Sequence, residues 1–124
     1  MQEAKTIWFN GSLIPWKEAN VHVLSHAMHY GSGAFEGMRA YEIDGRAAIV
    51  GLEAHVQRLF DSCRVLYMDL PFTFEQVSAG IRNTVQSNGH TSCYIRPLVF
   101  RGYGEIGVVP DDCPVELAIA SFPW

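Results

Sequence analysis

Lysine is scarce in this sequence. Lys5 and Lys17 are the only two lysines among 124 residues, and no run of basic side chains occurs anywhere in the chain. The formal net charge is −4. Because proteins that bind DNA or RNA carry a basic patch for the phosphate backbone, this charge pattern argues against a nucleic-acid-binding protein.

Long apolar segments are also missing. No run approaches the roughly 20 residues that a helix needs to cross a bilayer. The N-terminus, MQEAKTIWF, has no basic segment followed by an apolar one, which is the pattern of a secretory signal. The sequence therefore predicts a cytoplasmic protein without membrane contact.

Several motifs of known chemistry are absent. The three cysteines, Cys63, Cys93 and Cys113, show no CxxC spacing, which favours free thiols over a disulfide framework or a zinc site. The glycine-rich residues 31–37 fit neither GxGxxG nor a P-loop, and no GxSxG occurs. These absences argue against a nucleotide-binding loop and against the nucleophile elbow of hydrolases.

Three histidines have a spacing that metal ligands can have. His22, His26 and His29 are four and three residues apart and would share one face of a helix. However, the segment VHVLSHAMHYG begins with alternating β-branched residues, has no carboxylate nearby and ends at a glycine, so a helix is not expected there. We therefore expect structural histidines and no metal site.

What is present is the composition of one folded domain. Hydrophobic residues make up 48% of the chain and charged residues 18%, which excludes a disordered chain. A chain of this length buries about two-thirds of its unfolded surface, which is adequate for one domain and marginal for two. The high apolar fraction also predicts that some apolar surface faces a partner.

Two dipeptides mark tight β-hairpins. Asn10-Gly11 lies between TIWF and SLIPW, and Asp44-Gly45 lies between RAYEI and RAAIV. Asn-Gly and Asp-Gly are the strongest short-range hairpin signals, since both central positions of the favoured turn have positive φ.

Two amphipathic helices are expected between these hairpins and the C-terminal strands. Residues 53–67 carry apolar side chains at spacings of three and four, which predicts a helix with one buried face. The second helix is predicted to begin at Thr73, where TFEQ fits a capping box, and to end at Asn88-Gly89. Its expected buried stripe comprises Phe74, Val77, Ile81 and Val85.

The order of strands, helices and strands predicts the fold class. SCYIRPLVFRG and PVELAIASFPW are expected to be two longer strands, and Pro97 should confine the first to a sheet edge or a bulge because proline cannot donate a ladder hydrogen bond. We predict an α+β domain, a two-layer sandwich with a mostly antiparallel sheet and helices packed on one face. Residues 102–112 should form a loop with an exposed apolar tip.

Three arginines lie beside tyrosines and glycines in a way that suits an anionic ligand. Arg58 is expected in the first turn and a half of its helix, where the dipole favours an anion, although a solvated helix face is the alternative. Tyr94 and Arg96 are two residues apart on a strand and would project from one face, where they could hold a carboxylate. Together with Arg39, they indicate a small ligand with several negative charges.

Four segments occur in a distinctive order and spacing: HAMHYGSGAFEGMRAY, EAHVQRLFDS, SCYIRPLVFRGYGEIGV and ELAIASFPW. Together they resemble the N-terminal domain of branched-chain amino acid aminotransferases, which are pyridoxal phosphate enzymes of fold type IV. The resemblance covers essentially the whole chain. YIRPL and FEGMR favour this branch over the related D-amino acid aminotransferases and aminodeoxychorismate lyases, which remain alternatives.

The resemblance implies roles for the anion-binding candidates. Arg58, in QRL, is similar to the family's arginine that binds the cofactor phosphate. Tyr94 resembles the tyrosine that helps to position the substrate α-carboxylate. Arg96 and Arg39 resemble the pair that supports this tyrosine and receives the distal carboxylate of glutamate.

Four further positions resemble the family's substrate pocket. Phe35 and Gly37 are similar to part of the wall around the aliphatic side chain. Tyr30 and Val108 are similar to residues that enter the active site of the other subunit in a dimer, so the resemblance implies a homo-oligomer. We expect Tyr30, Phe35, Tyr94 and the Val108 loop to be partly uncovered in this chain.

The chain departs from the family at its catalytic lysine. In the family the Schiff-base lysine and most of the phosphate cup belong to a C-terminal domain, and neither Lys5 nor Lys17 matches that lysine. Residues 1–124 are therefore expected to be the N-terminal small domain, inactive alone and unable to retain pyridoxal phosphate. The complete enzyme should exchange the amino group between leucine, isoleucine or valine and 2-oxoglutarate. A stand-alone anion-binding or regulatory module is the alternative class.

Overall fold

The computed structural model describes all of residues 1–124. Its seven strands are β1 Thr6–Phe9, β2 Ser12–Pro15, β3 Gly33–Phe35, β4 Met38–Ile43, β5 Arg46–Ile49, β6 Cys93–Arg101 and β7 Val115–Phe122. Its three α-helices are α1 His26–Tyr30, α2 Leu52–Val65 and α3 Phe74–Asn88. All strand pairs are antiparallel, in the order β2-β1-β7-β6-β4-β5, and β3 also pairs with β6. The predicted antiparallel α+β fold is confirmed.

Both predicted hairpins are present. Asn10 and Gly11 have φ values of 46° and 100° between β1 and β2, and Asp44 and Gly45 have 49° and 77° between β4 and β5. Positive φ at both central positions gives the turn a twist that matches the flanking strands. Local chemistry therefore fixes the register of each hairpin.

The two long helices begin and end close to their expected boundaries. At the start of α3, the Gln76 N–H donates to Thr73 Oγ1 at 3.2 Å, and the Thr73 N–H donates to Gln76 Oε1 at 2.8 Å, which completes the capping box. Gly89 ends the helix in a left-handed conformation. Helix α2 ends at Val65, two residues earlier than expected, and Tyr67 lies just beyond it with a φ of 51°.

The hydrophobic core lies between one face of the sheet and the pair α2 and α3. Fully enclosed side chains from both layers form it: Val56, Leu59, Val77, Ile81, Ile95, Val99, Leu117 and Ile119. Burial of each such side chain contributes about 1.5 to 3 kcal/mol. The three cysteines are buried free thiols, and burial raises the pKa of Cys63 and Cys93 to about 11.

The expectation that Pro97 confines its strand to an edge is wrong. Strand β6 is central, with β7 along one side and both β4 and β3 along the other. Strand β4 pairs with residues 93–95 and β3 with residues 98–100, so the neighbouring chain is interrupted beside Pro97. There Glu36 N–H donates to the Pro97 carbonyl at 3.0 Å, and no ladder bond needs the missing proline N–H.

The expectation that no helix forms around the three histidines is also incorrect. Helix α1 is a single short turn that contains His26 and His29 and ends at Gly31 in a left-handed conformation. It lies beside Leu98 and Phe100, on the face of the sheet opposite to α2 and α3. None of the helices has the length and apolar character that a bilayer crossing requires.

Candidate functional site

The face of the sheet that α2 and α3 leave open carries the predicted substrate-binding residues. Side chains alternate along β6, so Ile95 and Val99 point into the core while Tyr94 and Arg96 point to the open face. Strand pairing sets Arg39 directly opposite Tyr94. Phe35 lies opposite Leu98 on β3. We call these five open-face residues the substrate face; they are Phe35, Gly37, Arg39, Tyr94 and Arg96.

Tyr94 and Arg96 form a hydrogen-bonded pair at the centre of this face. Arg96 Nη2 donates to Tyr94 Oη at 2.8 Å, and the Arg96 guanidinium carbon lies 4.1 Å from the centre of the Phe35 ring. Both contacts restrict the arginine, since a guanidinium stacks well on an aromatic face. Arg96 Nε is buried and has no acceptor within the chain. The pair is therefore ordered but keeps one unsatisfied donor.

Gly37 allows the Tyr94 hydroxyl to lie against the backbone. A Cβ atom at position 37 would overlap Tyr94 Oη and would lie only 2.9 Å from Tyr94 Cζ. Gly37 does not have a positive φ, so close approach and not backbone conformation requires glycine here. This explains chemically why a glycine separates Phe35 and Arg39 from the tyrosine they surround.

Two aromatic residues that sequence reasoning did not assign complete the surroundings of Tyr94. The Phe122 and Trp124 rings lie 5.4 Å and 5.0 Å from the Tyr94 ring, centre to centre. The Arg39 guanidinium carbon lies 5.5 Å from the Trp124 ring. The available signal was the period of two along β7, which sets Phe122 opposite Tyr94 once the two strands pair.

Arg58 lies on the other side of the segment that holds Phe35 and Gly37. It is six residues beyond Leu52, the first residue of α2, and so falls outside the first turn, where the helix dipole acts. The dipole part of the sequence argument therefore does not apply. Instead, Arg58 Nε and Nη2 donate to the two carboxylate oxygens of Glu36 at 2.6 Å and 2.8 Å.

Glu36 is a buried carboxylate that sequence reasoning did not assign. It accepts a third hydrogen bond from His55 Nδ1 at 2.8 Å and is only 5% exposed. The hydrogen bond from Arg58, together with the bond from His55 and both Coulombic contacts, holds its pKa below the ordinary range although burial acts in the opposite direction. The usable signal was that His55 and Arg58, three residues apart, share one face of α2.

Tyr30 and Val108 come together in a separate cluster. Tyr30 Oη donates to the Ile106 carbonyl at 3.0 Å, and the buried His26 ring binds the Gly107 carbonyl through Nε2 at 3.1 Å. These bonds attach α1 to the loop at residues 102–112, whose tip is exposed as expected, with Val108 77% exposed. The cluster shares no hydrogen bond or aromatic contact with Tyr94 or Arg96.

The three spaced histidines each have a different environment. His26 also hydrogen-bonds Ser32 Oγ through Nδ1 at 2.7 Å, the His22 ring packs on Tyr103, and His29 Nε2 binds the Val23 carbonyl. No group of three or more His, Cys, Asp or Glu side chains is arranged to hold a metal ion.

Comparison with known proteins identifies the family. Residues 33–124 match the sequence profile of amino-transferase class IV. A branched-chain-amino-acid aminotransferase of Pseudomonas aeruginosa is 41% identical over 118 residues, which are 95% of this chain and 38% of that relative. The chain therefore belongs to the class IV aminotransferases.

Solved structures of branched-chain aminotransferases share the fold. The Escherichia coli enzyme superposes with a TM-score of 0.94 at 38% identity, over 98% of this chain and 40% of that one. The enzyme from the source abbreviated T.th superposes with a TM-score of 0.96 at 44% identity, over 100% of this chain and 42% of that one. Structures of the T.th enzyme include complexes with pyridoxamine 5′-phosphate, with N-(5′-phosphopyridoxyl)-L-glutamate and with 4-methylvaleric acid. The chain spans about two-fifths of the length of these relatives.

Proposed function

We propose that residues 1–124 form the substrate-orienting part of a cytoplasmic branched-chain amino acid aminotransferase. The whole enzyme would use pyridoxal phosphate to exchange an amino group between leucine, isoleucine or valine and 2-oxoglutarate. The observation that carries this proposal is the Tyr94–Arg96 pair, packed against Phe35 and Gly37 on an open sheet face. The named relatives, and the glutamate adduct held by the T.th enzyme, support the same assignment.

The residues of this chain fit pyridoxal phosphate and a substrate carboxylate. Arg96 Nε is an unsatisfied buried donor, and Arg58 keeps unbonded N–H groups toward solvent. Arg58 would hold the cofactor phosphate, and when bound, pyridoxal phosphate supplies an electron sink that stabilises negative charge at the substrate α-carbon. The protein's part is to bind, orient and surround the substrate.

Tyr94 would orient the α-carboxylate through its own proton. Arg96 donates to the Tyr94 oxygen, which occupies an acceptor position and leaves the phenolic hydrogen free to point away from the arginine. A carboxylate beside Tyr94 would therefore receive an O–H donor whose direction is already set. Pre-ordered donors increase binding because less conformational entropy is lost on association.

The substrate face could accept both amino donors of the proposed reaction. Arg96 and Arg39 would face the distal carboxylate of glutamate, to which a guanidinium can donate two parallel hydrogen bonds. The Phe35 ring offers an apolar wall for an aliphatic side chain, and it is 58% exposed in this chain. The two substrate types would thus use neighbouring surfaces of one site.

Tyr30 and Val108 would contribute to the site of a second copy. They form their own cluster, away from Tyr94, and Val108 is largely exposed. A homo-oligomer in which this loop enters the neighbouring active site would use both observations. The other proposed partner is the C-terminal, lysine-bearing domain of the same protein.

The 124-residue chain alone should show no transamination. Lys5 and Lys17 are both exposed at the hairpin edge of the sheet, so each amine stays hydrated and protonated near pH 7. Incubation with pyridoxal phosphate, borohydride reduction and mass spectrometry should show only slow, unselective labelling. Stoichiometric labelling of a single lysine, or turnover of leucine with 2-oxoglutarate, would contradict this expectation.

A chimaera tests the proposed function of the whole enzyme. In it, residues 1–124 replace the matching N-terminal segment of the T.th enzyme, which is similar over the full length of this chain. We expect the chimaera to convert leucine and 2-oxoglutarate to their products, and the isolated chain under the same conditions to be inactive. A chimaera that folds and binds pyridoxal phosphate but transfers no amino group would refute the proposal and favour an anion-binding module.

A further inference from the structure

Glu36 and Arg58 have an arrangement that bears on how the arginine could bind an anion, and the inference rests on the proposed function of Arg58. We propose that Glu36 is a positioning residue: it holds the Arg58 guanidinium so that its end-on edge is presented to a phosphate group. The ligand chemistry is a phosphate monoester or inorganic phosphate. The proposal begins with which edge of the guanidinium is already in use.

A guanidinium can form a two-point contact through its side edge, Nε and Nη2, or through its end edge, Nη1 and Nη2. Glu36 occupies the side edge completely, with Oε1 on Nε at 2.6 Å and Oε2 on Nη2 at 2.8 Å. Both hydrogens of Nη1 and one of Nη2 remain without a partner in the chain. The end edge is therefore free, and its fork geometry matches two phosphate oxygens.

Burial makes Glu36 a rigid base for this arrangement. Its carboxylate is enclosed and accepts three hydrogen bonds, while the Arg58 side chain is 67% exposed. The arginine is thus fixed at the protein end and accessible at the ligand end. An isolated exposed arginine would lose rotamer freedom on binding, whereas this one has already lost much of it in the free protein.

The position of Glu36 in the sequence connects the two parts of the proposed site. Phe35 and Gly37, its neighbours, belong to the substrate face, and the Glu36 side chain points the opposite way, to α2. The Glu36 N–H is also bonded to the Pro97 carbonyl, one residue beyond Arg96. Glu36 therefore fixes Arg58 relative to the residues proposed to hold the substrate.

Charge and orientation predict opposite effects for Glu36→Gln, which makes the test sharp. Removal of a negative charge beside Arg58 should strengthen the binding of any anion if electrostatics alone decided. Loss of the two-point contact should instead weaken binding, by about three- to tenfold for one side chain that is no longer pre-ordered. The proposal requires the second result.

The experiment uses the 124-residue chain and follows the Arg58 side-chain N–H signals by NMR. The probes are pyridoxine 5′-phosphate, pyridoxine and inorganic phosphate, none of which carries an aldehyde that could react with lysine. We expect both phosphate probes to shift the Nη signals with millimolar affinity and pyridoxine to leave them unchanged. Tighter binding by pyridoxine 5′-phosphate than by inorganic phosphate would identify the cofactor class as the ligand.

Two variants serve as controls. Asp61→Asn removes a carboxylate from the exposed face of the same helix, where it contacts Gln57 and Arg64, and should leave phosphate binding unchanged. Glu36→Asp keeps the charge but shortens the side chain, and should weaken phosphate binding if Glu36→Gln does not fold. Unchanged or tighter phosphate binding in a folded Glu36 variant would overturn the proposal. Because no turnover is measured, the result is independent of whether the chimaera is active.

Discussion

The two faces of the sheet use the same strands for different purposes. On β6, the inward residues Ile95 and Val99 are completely buried, whereas the outward Tyr94 and Arg96 are half-buried and hydrogen-bonded to each other. The inward face is apolar and packed against α2 and α3. The outward face holds two arginines, a tyrosine and exposed aromatic rings without a helix to cover them.

This difference shows how the domain separates stability from binding. Apolar side chains on the helix side remove surface from water and contribute most of the folding free energy. Charged and aromatic side chains on the open face contribute less to folding, and they remain available to a ligand or a partner. An alternation of period two is sufficient to place both properties on one strand.

The largest expected effect comes from the inward face. Ile95→Ala should lower the free energy of unfolding by about 2 to 5 kcal/mol because it leaves a cavity among fully enclosed side chains. Leu98→Ala, on the same strand but facing outward and 38% exposed, should cost less than about 1 kcal/mol. Urea unfolding with an unchanged m-value measures both. Equal losses would remove the distinction between the faces.

A second prediction addresses the outward face. Gly37→Ala should displace the Tyr94 hydroxyl and break its bond with Arg96, so turnover by the chimaera should fall about 100-fold, as expected for a misplacement of about 1 Å. Gly107→Ala is the matched control, since its Cβ would meet only the Glu105 carboxylate at 3.8 Å. Steady-state rates and melting temperatures of both variants decide. If Gly37→Ala kept full activity, Tyr94 would not orient the substrate.

A third and smaller effect concerns the carboxylate between the two faces. Interaction with Arg58 lowers the pKa of Glu36, so the stability that its ionisation provides is fully present above the ordinary glutamate pKa, about 4.3, and is lost as the pH falls through the lowered value. The difference in unfolding free energy between the natural chain and Glu36→Gln should therefore shrink below that pH. Urea unfolding from pH 3 to pH 7 measures it. A difference that grows on acidification would have the wrong sign.

Arg58→Ala is no longer a clean test of cofactor binding. Sequence reasoning treated Arg58 as either a solvated helix residue or a phosphate ligand, and the structure shows a third role, in which it partners a buried carboxylate. Removal of the arginine would leave Glu36 with His55 alone, so folding and phosphate binding would both suffer. The Glu36 variants described above separate these two roles.

Elements set by local interactions could be predicted from the sequence. The Asn10-Gly11 and Asp44-Gly45 turns, the capping box at Thr73 and the glycine cap at Gly89 each depend on residues a few positions apart. The two long helices follow from apolar spacing alone. The family resemblance supplied the roles of the substrate-face residues, and the structure places these residues together on one face.

Features that depend on distant parts of the chain could not be predicted. Pro97 is accommodated in a central strand because β3 and β4 leave a gap beside it, and no local pattern shows that gap. The bond between Glu36 and Arg58 joins residues 22 positions apart. Phe122 and Trp124 become neighbours of Tyr94 only after β7 has paired with β6.

The central claim is that the open face orients the substrates of an aminotransferase, and Arg96→Leu in the chimaera tests it most directly. Single-turnover rates would be measured separately for the half-reactions with glutamate and with leucine. Both should fall because Tyr94 loses its partner, but the glutamate half-reaction should fall by a larger factor, since only glutamate has a distal carboxylate that loses a two-point contact. Equal losses in the two half-reactions, or no loss in either, would contradict the account.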